Sequence, residues 1–228
     1  MSTGKDHRRY NTVSNKLADR CLVYLMDRLR VSIQSPENIQ YCNFTHVREM
    51  FFVNQLILQH LDKNKTHINI GTGVGFMEHV NNKNKFVNLK TADLDRGIID
   101  PMFKYGQNLL GVKQNYNIKH IRKNDGSDLK ITGVDPFTEY TRWDNAIFNR
   151  FVPFHRILTN KENVIKFNKN MKKYVDNITI ISLGEVKSKK FVPTQLDTEL
   201  FPNAKFTELG HGYGIKENPL RVLMEYSI

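Results

Sequence analysis

The chain has 228 residues, 39% hydrophobic and 25% charged, enough apolar content for one full-sized core and too much for a disordered chain. No apolar run approaches the about 18 residues of a membrane span, and Met1 to Lys16 is polar without an apolar h-region, so a cytoplasmic protein with neither anchor nor secretory signal is expected. The net charge of +11 attracts anions, yet four alanines (Ala18, Ala92, Ala146, Ala204) against abundant Asn, Lys and Ile is the pattern of an A- and T-rich gene, and the basic stretches at 119–123, 161–173 and 187–190 lack the arginine and aromatic interleaving of a nucleic-acid stripe.

Residues 1–13 read as a flexible polar arm. Leu17, Cys21, Leu22, Leu25, Met26 and Leu29 then recur at helical spacing, and a second helical pattern runs through Val47, Phe51, Leu56, Ile57 and Leu61. Cys21 and Cys42 are too few for a disulfide framework or a four-cysteine metal site. From His67 the period changes to that of strands alternating with helices. Ile68–Ile70 is a strand, a glycine turn and short helix follow, Phe86–Thr91 is a second strand, Asp100–Leu110 a helix, Ile118–Ile121 a strand and Asp144–Phe148 another. Thr159-x-x-Glu162 has capping-box form and opens a helix with Val164, Phe167, Met171 and Val175 inward, before the strand Ile178–Leu183. Lys205–Leu209 and Arg221–Tyr226 end the chain as a hairpin.

The sharpest motif is Ile68-Asn69-Ile70-Gly71-Thr72-Gly73-Val74-Gly75, glycines two apart between a strand and a helix. Glycine permits positive φ and close backbone approach, and the free N–H groups of a helix start favour an anionic group. A dinucleotide fingerprint would need its third glycine where Phe76 stands, and a P-loop would need Gly-Lys-Ser/Thr. Asp93 follows at the end of the second strand, where a carboxylate accepts from ribose hydroxyls.

These residues resemble the first motif and second-strand acid of the class I S-adenosylmethionine-dependent methyltransferases. The stretch Trp143 to Phe151 resembles that family's fourth strand and following loop, Ile178–Gly184 its fifth strand, and the terminal hairpin its closing pair. The resemblance implies an α/β, Rossmann-like, mainly parallel seven-stranded sheet with a C-terminal antiparallel hairpin and helices on both faces, residues 67–228 forming the cofactor-binding core and 1–66 a helical N-terminal cap. It implies that Gly71, Thr72, Gly73 and Gly75 line the cofactor's methionine part, that Asp93 binds ribose and Leu94 packs on adenine, that Asn149 lies near the reactive sulfonium, and that Arg150 is a further cofactor-binding residue. The adenine-contacting residue stays open between Asn124-Asp125, with Asp125 the candidate acid, and Asp135.

Methyl transfer is an in-line displacement on a carbon activated by positive sulfur, so alignment and water exclusion are the protein's tasks and no metal is expected. The histidines show no metal-ligand spacing such as His-Glu-x-x-His. His155 is the candidate base for an acceptor's proton, with His211 second and Tyr140 and Tyr213 unranked. DNA base-amino methyltransferases carry Asn/Asp-Pro-Pro-aromatic where this chain has Asn149-Arg150-Phe151-Val152; the cytosine-carbon enzymes need a cysteine there; the Lys-Asp-Lys-Glu ribose enzymes need an aspartate at Asn149. A small-molecule acceptor leads, with Tyr41, Phe51 and Phe52 either closing over it or filling the core. The alternatives are an RNA-modifying enzyme, marked by Lys119, Arg122, Lys123 and Lys187 around the pocket mouth, a non-catalytic binding subunit of the same fold, and an aminopropyl transferase using Asp144 and Glu185.

Overall fold

The computed structural model describes residues 44–94, 106–108, 110–118, 123, 125–134, 142–149, 160–187, 190–192, 201–211 and 220–228. Three helices and nine strands are defined there: α1 Phe44–His60, β1 Thr66–Ile70, α2 Phe76–Asn84, β2 Asn88–Asp93, β3 Tyr116–Ile118, β4 Ile131–Gly133, β5 Trp143–Asn149, α3 Lys161–Met171, β6 Val175–Lys187, β7 Lys190–Val192, β8 Lys205–His211 and β9 Leu220–Ser227.

Successive side chains of a strand leave opposite faces of the sheet. Along β1, Ile68 and Ile70 are buried, and so are His67 and Asn69, alternating with them, which makes β1 a central strand covered on both sides. One face packs Ile68, Ile70, Ala146, Phe148 and Met224 against Val164, Phe167 and Met171 of α3. The other packs Ile147, Leu209 and Leu223 against Phe51, Val53, Ile57 and Leu58 of α1 and Phe76, Met77 and Val80 of α2. Phe51 thereby takes the core alternative, 1% exposed and edge-to-face with Phe76 at 5.2 Å between ring centres.

The sheet order is β4-β3-β2-β1-β5-β6-β9-β8, with β7 pairing β6. β1 pairs β2 and β5 in parallel, as do β2 with β3 and β5 with β6. β9 is inserted antiparallel between β6 and β8. Seven strands and helices on both faces match the expected architecture. The strands β4 and β7, each three residues long and antiparallel to its neighbour, were not expected, being too short to show a period of two.

Boundaries moved where side chains intervene. The second strand runs over Asn88–Asp93 rather than Phe86–Thr91, because α2 ends on a left-handed Lys85 (φ 54°) and Asn81 brackets Val87, donating to its carbonyl and accepting from its N–H. The capping-box reading is corrected: Asn160 caps α3, its side chain accepting from Asn163 N at 2.9 Å. Glu162 then stands one position too early for a box and binds Lys166 one turn on. Val175 continues the helical period but opens β6, opposite Trp143.

Candidate functional site

Strand order reverses at β1: β2 and β3 lie to one side, β5 and β6 to the other. In open α/β sheets the crevice at the carboxyl ends of strands at such a switch point is the usual ligand site. The residues that follow or end β1, β2 and β5 there are the Gly71–Gly75 turn, Asp93 and Asn149.

The turn requires its glycines. Gly71, Gly73 and Gly75 have φ of 83°, 60° and 89°, a region that costs L-residues with a Cβ about 1–2 kcal/mol each. A Cβ at Gly75 would also stand 2.6 Å from a Val112 methyl. Gly71 N donates to Ala92 O at 2.9 Å, and Gly73 N donates to the Asp93 carboxylate, whose other oxygen accepts from Leu94 N at 2.7 Å. Asp93 therefore closes the turn onto β2. Gln107 Nε2 donates to Gly73 O at 2.7 Å, and Gln114 Nε2 lies 2.9 Å from Asp93 O and 2.7 Å from Asn117 Oδ1.

Below the turn, Asn69 Nδ2 donates to Glu78 Oε1 at 2.7 Å and Thr72 Oγ1 donates to the same oxygen at 3.1 Å. Burial pushes the Glu78 carboxyl up to about 7. Across on β5, Asn149 Nδ2 donates to Asn54 Oδ1 of α1 at 2.8 Å, and Asn54 is 2% exposed. Three buried oxygens, Asn69 Oδ1, Glu78 Oε2 and Asn149 Oδ1, have no hydrogen-bond partner among the described residues.

Of the residues singled out in the sequence, Gly71, Thr72, Gly73, Gly75, Asp93 and Leu94 are thus brought together, with Asn149 at the end of the neighbouring strand. Asp125 is held elsewhere, in a turn against α3. Its carboxylate accepts from Ser127 N at 3.0 Å, which together with the Ser127 hydroxyl lowers its pKa, and its carbonyl accepts from Asn170. Neither of these hydrogen bonds reaches the glycine turn. Arg150, His155, Asn124, Asp135, Tyr140 and Tyr213 lie outside the described residues, as do Lys119, Arg122, Tyr41, Cys21 and Cys42. Asp144 is engaged at the other end of the sheet, accepting from Thr66 N at 2.7 Å and Thr66 Oγ1 at 2.8 Å.

Sequence reading missed Glu78, Asn54, Gln107 and Gln114. For Glu78 a signal existed, a lone acid among Phe76, Met77 and Val80 in the first turn of a helix, where an acid is also what the helix dipole favours. Asn54 had none.

No family model matches the chain, and no curated protein matches it. Solved structures do. The pyocyanin biosynthetic protein PhzM is similar with a TM-score of 0.51 at 9% identity, over 86% of this chain and 60% of that one. The mitomycin 7-O-methyltransferase MmcR gives 0.47 at 10% identity, over 86% and 59%. The METTL16 MTase domain gives 0.41 at 17% identity, over 80% and 67%. The chain has the class I methyltransferase fold. The antiparallel β9 set between β6 and β8 closes that fold, and the glycine turn and Asp93 stand at its first and second strands. The chain spans about 60% of PhzM and MmcR.

Proposed function

We infer that the protein is an S-adenosylmethionine-dependent methyltransferase acting in the cytoplasm on a small-molecule acceptor, without a metal. The observation that carries this reading is the glycine turn, three left-handed glycines closed on Asp93 at the switch point of a methyltransferase fold. The residues present fit the cofactor. The turn lacks side chains that would block a close approach, and orphaned acceptors lie beside it in Asn69 and Glu78, suited to a ligand with hydrogens to donate.

In this reading Gly71, Thr72, Gly73 and Gly75 receive the methionine part, Asp93 accepts from the ribose hydroxyls, and Leu94 covers adenine with Asp125 or Asp135. Asn149, its amide oriented by Asn54, and Arg150 complete the cofactor site, Asn149 near the sulfonium, and His155 takes the acceptor's proton where it has one to lose. The bound cofactor supplies a methyl group on positive sulfur. Residues 67–228 form the core, and residues 1–66 cover it, with Asn54 as the contact between α1 and the site. The small-molecule acceptor is favoured by Asn149-Arg150-Phe151-Val152, which lacks the paired prolines of base-amino enzymes.

The test is thermal unfolding with S-adenosylmethionine or S-adenosylhomocysteine. A ligand at a hundred times its Kd adds about 2.7 kcal/mol, and a melting-temperature rise that Asp93→Ala abolishes is expected. No rise with either ligand in the wild type would sink the reading. Label transferred from methyl-labelled cofactor in a cell extract is then expected in the small-molecule fraction; label in RNA would overturn the acceptor class.

A further inference from the structure

Glu78 is an ionisable side chain beside the glycine turn to which the reading above gives no task. It enters from the first turn of α2, is 4% exposed, and receives both of its side-chain hydrogen bonds at Oε1, from Asn69 and from Thr72 of the turn itself. Oε2 and the Asn69 Oδ1 of the group bonded to it are both buried without a partner among the described residues. An ionised carboxylate there has an oxygen with no compensating donor, which burial makes costly. A hydrogen on Oε2 removes that deficit.

Among the charged side chains the surroundings act in the same direction, and with burial they outweigh the hydrogen bonds from Asn69, Thr72 and the Glu78 backbone N–H, which favour the ionised form. Asp93, facing from the end of β2, is of like sign and disfavours ionisation. Asn69 on β1 and Thr72 in the turn are neutral. On α2 itself, His79 Nδ1 is engaged with Leu110 O at 2.8 Å and Lys83 is exposed. α1, packed on the same core, offers among its described side chains only His60, exposed at its far end.

We propose that Glu78 is a specificity-determining residue for the charge of the cofactor, a buried acid that gives up its proton more readily when a cation occupies the glycine turn, so that the site prefers S-adenosylmethionine to S-adenosylhomocysteine. This rests on the reading of the turn as the cofactor site. Both ligands carry an ammonium and a carboxylate, and only S-adenosylmethionine adds a sulfonium, so they differ by one positive charge. A cation favours the ionised carboxyl, and by reciprocity the ionised carboxyl strengthens the cation's binding by the same factor. Because burial already holds the Glu78 carboxyl at about 7, the proton is released near neutral pH. The effect ejects the neutral product once the methyl group has left.

The test is isothermal titration of the full chain with each ligand at pH 5.5 and pH 8, in the wild type and in Glu78→Gln. Groups common to both ligands titrate in both and cancel in the ratio of the two Kd values. The wild-type preference for S-adenosylmethionine is expected to grow roughly 5-fold or more between the two pH values, and the preference of Glu78→Gln to stay flat. A wild-type ratio independent of pH, or a pH dependence kept by the glutamine variant, overturns the proposal. A second readout needs no variant. Titration at pH 7 in buffers of different ionisation enthalpy should show proton release with S-adenosylmethionine and less with S-adenosylhomocysteine; equal release with both overturns it. Binding of neither ligand would overturn the cofactor reading as well, an outcome distinct from binding without discrimination.

Discussion

His67 and Asn69 are two residues apart on β1, point to the same face of the sheet, and are both buried polar side chains, yet their surroundings differ in kind. Around His67 every polar atom has an assignment. Nε2 lies 2.8 Å from Asp62 O, so it carries the hydrogen, and Nδ1 accepts from Asn145 Nδ2 at 3.1 Å. Asn145 also donates to Thr179 Oγ1, and that hydroxyl returns its hydrogen to Asn145 Oδ1. The network ties β1, β5 and β6 together and leaves nothing over. Around Asn69, toward the carboxyl ends of the same strands, three buried oxygens lack partners among the described residues. Since a buried acceptor without a donor costs about 1–3 kcal/mol, one set of polar groups supports the fold and the other is maintained at its expense. A saturated network marks scaffold, and an unsaturated one marks a site.

The two regions also titrate in opposite senses. Burial lowers the His67 pKa, so its contribution to stability is present above the ordinary histidine value and is lost as pH falls below that value through the lowered one of the folded state. Burial raises that of Glu78 from 4.5 to about 7, so its contribution is complete below 4.5 and is lost as pH rises through about 7. An experiment on one region should leave the other's pH arm untouched.

The largest expected effect separates site from scaffold at equal strain. Gly75→Ala and Gly126→Ala both place a Cβ at positive φ, 2.6 Å from Val112 and 2.8 Å from Phe167 respectively. Each should lose about 3 kcal/mol or more in urea denaturation, but only Gly75→Ala should also abolish the melting-temperature shift with S-adenosylhomocysteine. Loss of that shift in both would mean that global stability, not the turn, governs binding.

Next comes Glu78→Gln. It removes the burden of ionising a buried carboxyl, and the added amide hydrogens suit the orphaned acceptor of Asn69. Compared with the wild type, the variant should gain about 3 kcal/mol in moving from pH 4.5 to pH 8, read as the difference between the two proteins' denaturation midpoints across pH. A constant difference would show that Glu78 does not titrate in that range.

Asn145→Leu should do the reverse at the scaffold, leaving His67 Nδ1 and Thr179 Oγ1 without their donor. A loss of about 2 kcal/mol in denaturation is expected, with ligand affinity within about 2-fold of wild type by titration on the folded protein, since additivity holds for separated sites. The smallest effect belongs to Asn54→Ala. It removes one neutral hydrogen bond, Asn149 Nδ2 to Asn54 Oδ1, so about 1 kcal/mol is expected from the same measurement. A loss as large as that of Asn145→Leu would place Asn54 with the scaffold instead.

Much of this arrangement was legible without coordinates, and for local reasons. Positive φ at Gly71, Gly73 and Gly75, the strand before them and the helix after them follow from neighbours in the chain, and Asp93 reaches them because β2 lies in register beside β1, Ile70 opposite Ala92. The strands β1, β5 and β6 carried enough apolar residues to be seen, while β4 and β7 offered three residues each and depend on a neighbour for their pairing. Thr159 was read as the cap of α3 because the box spacing fits it, and Asn160, one position nearer, holds the post.

What the amino-acid order determined by itself was therefore the alternation of strands and helices, the glycine turn with its acid, and the terminal hairpin that completes a methyltransferase fold, since each rests on periodicity or on backbone conformations that only certain residues adopt. The tertiary structure alone decided which polar side chains are scaffold and which are site. Asn149 meets Asn54 from 95 positions away, and Asn145 meets His67 across 78. The Glu78 proton depends on burial by α2, β1 and the turn together. Hydrogen-bond satisfaction and desolvation are properties of a closed three-dimensional neighbourhood, and no spacing along the chain encodes them.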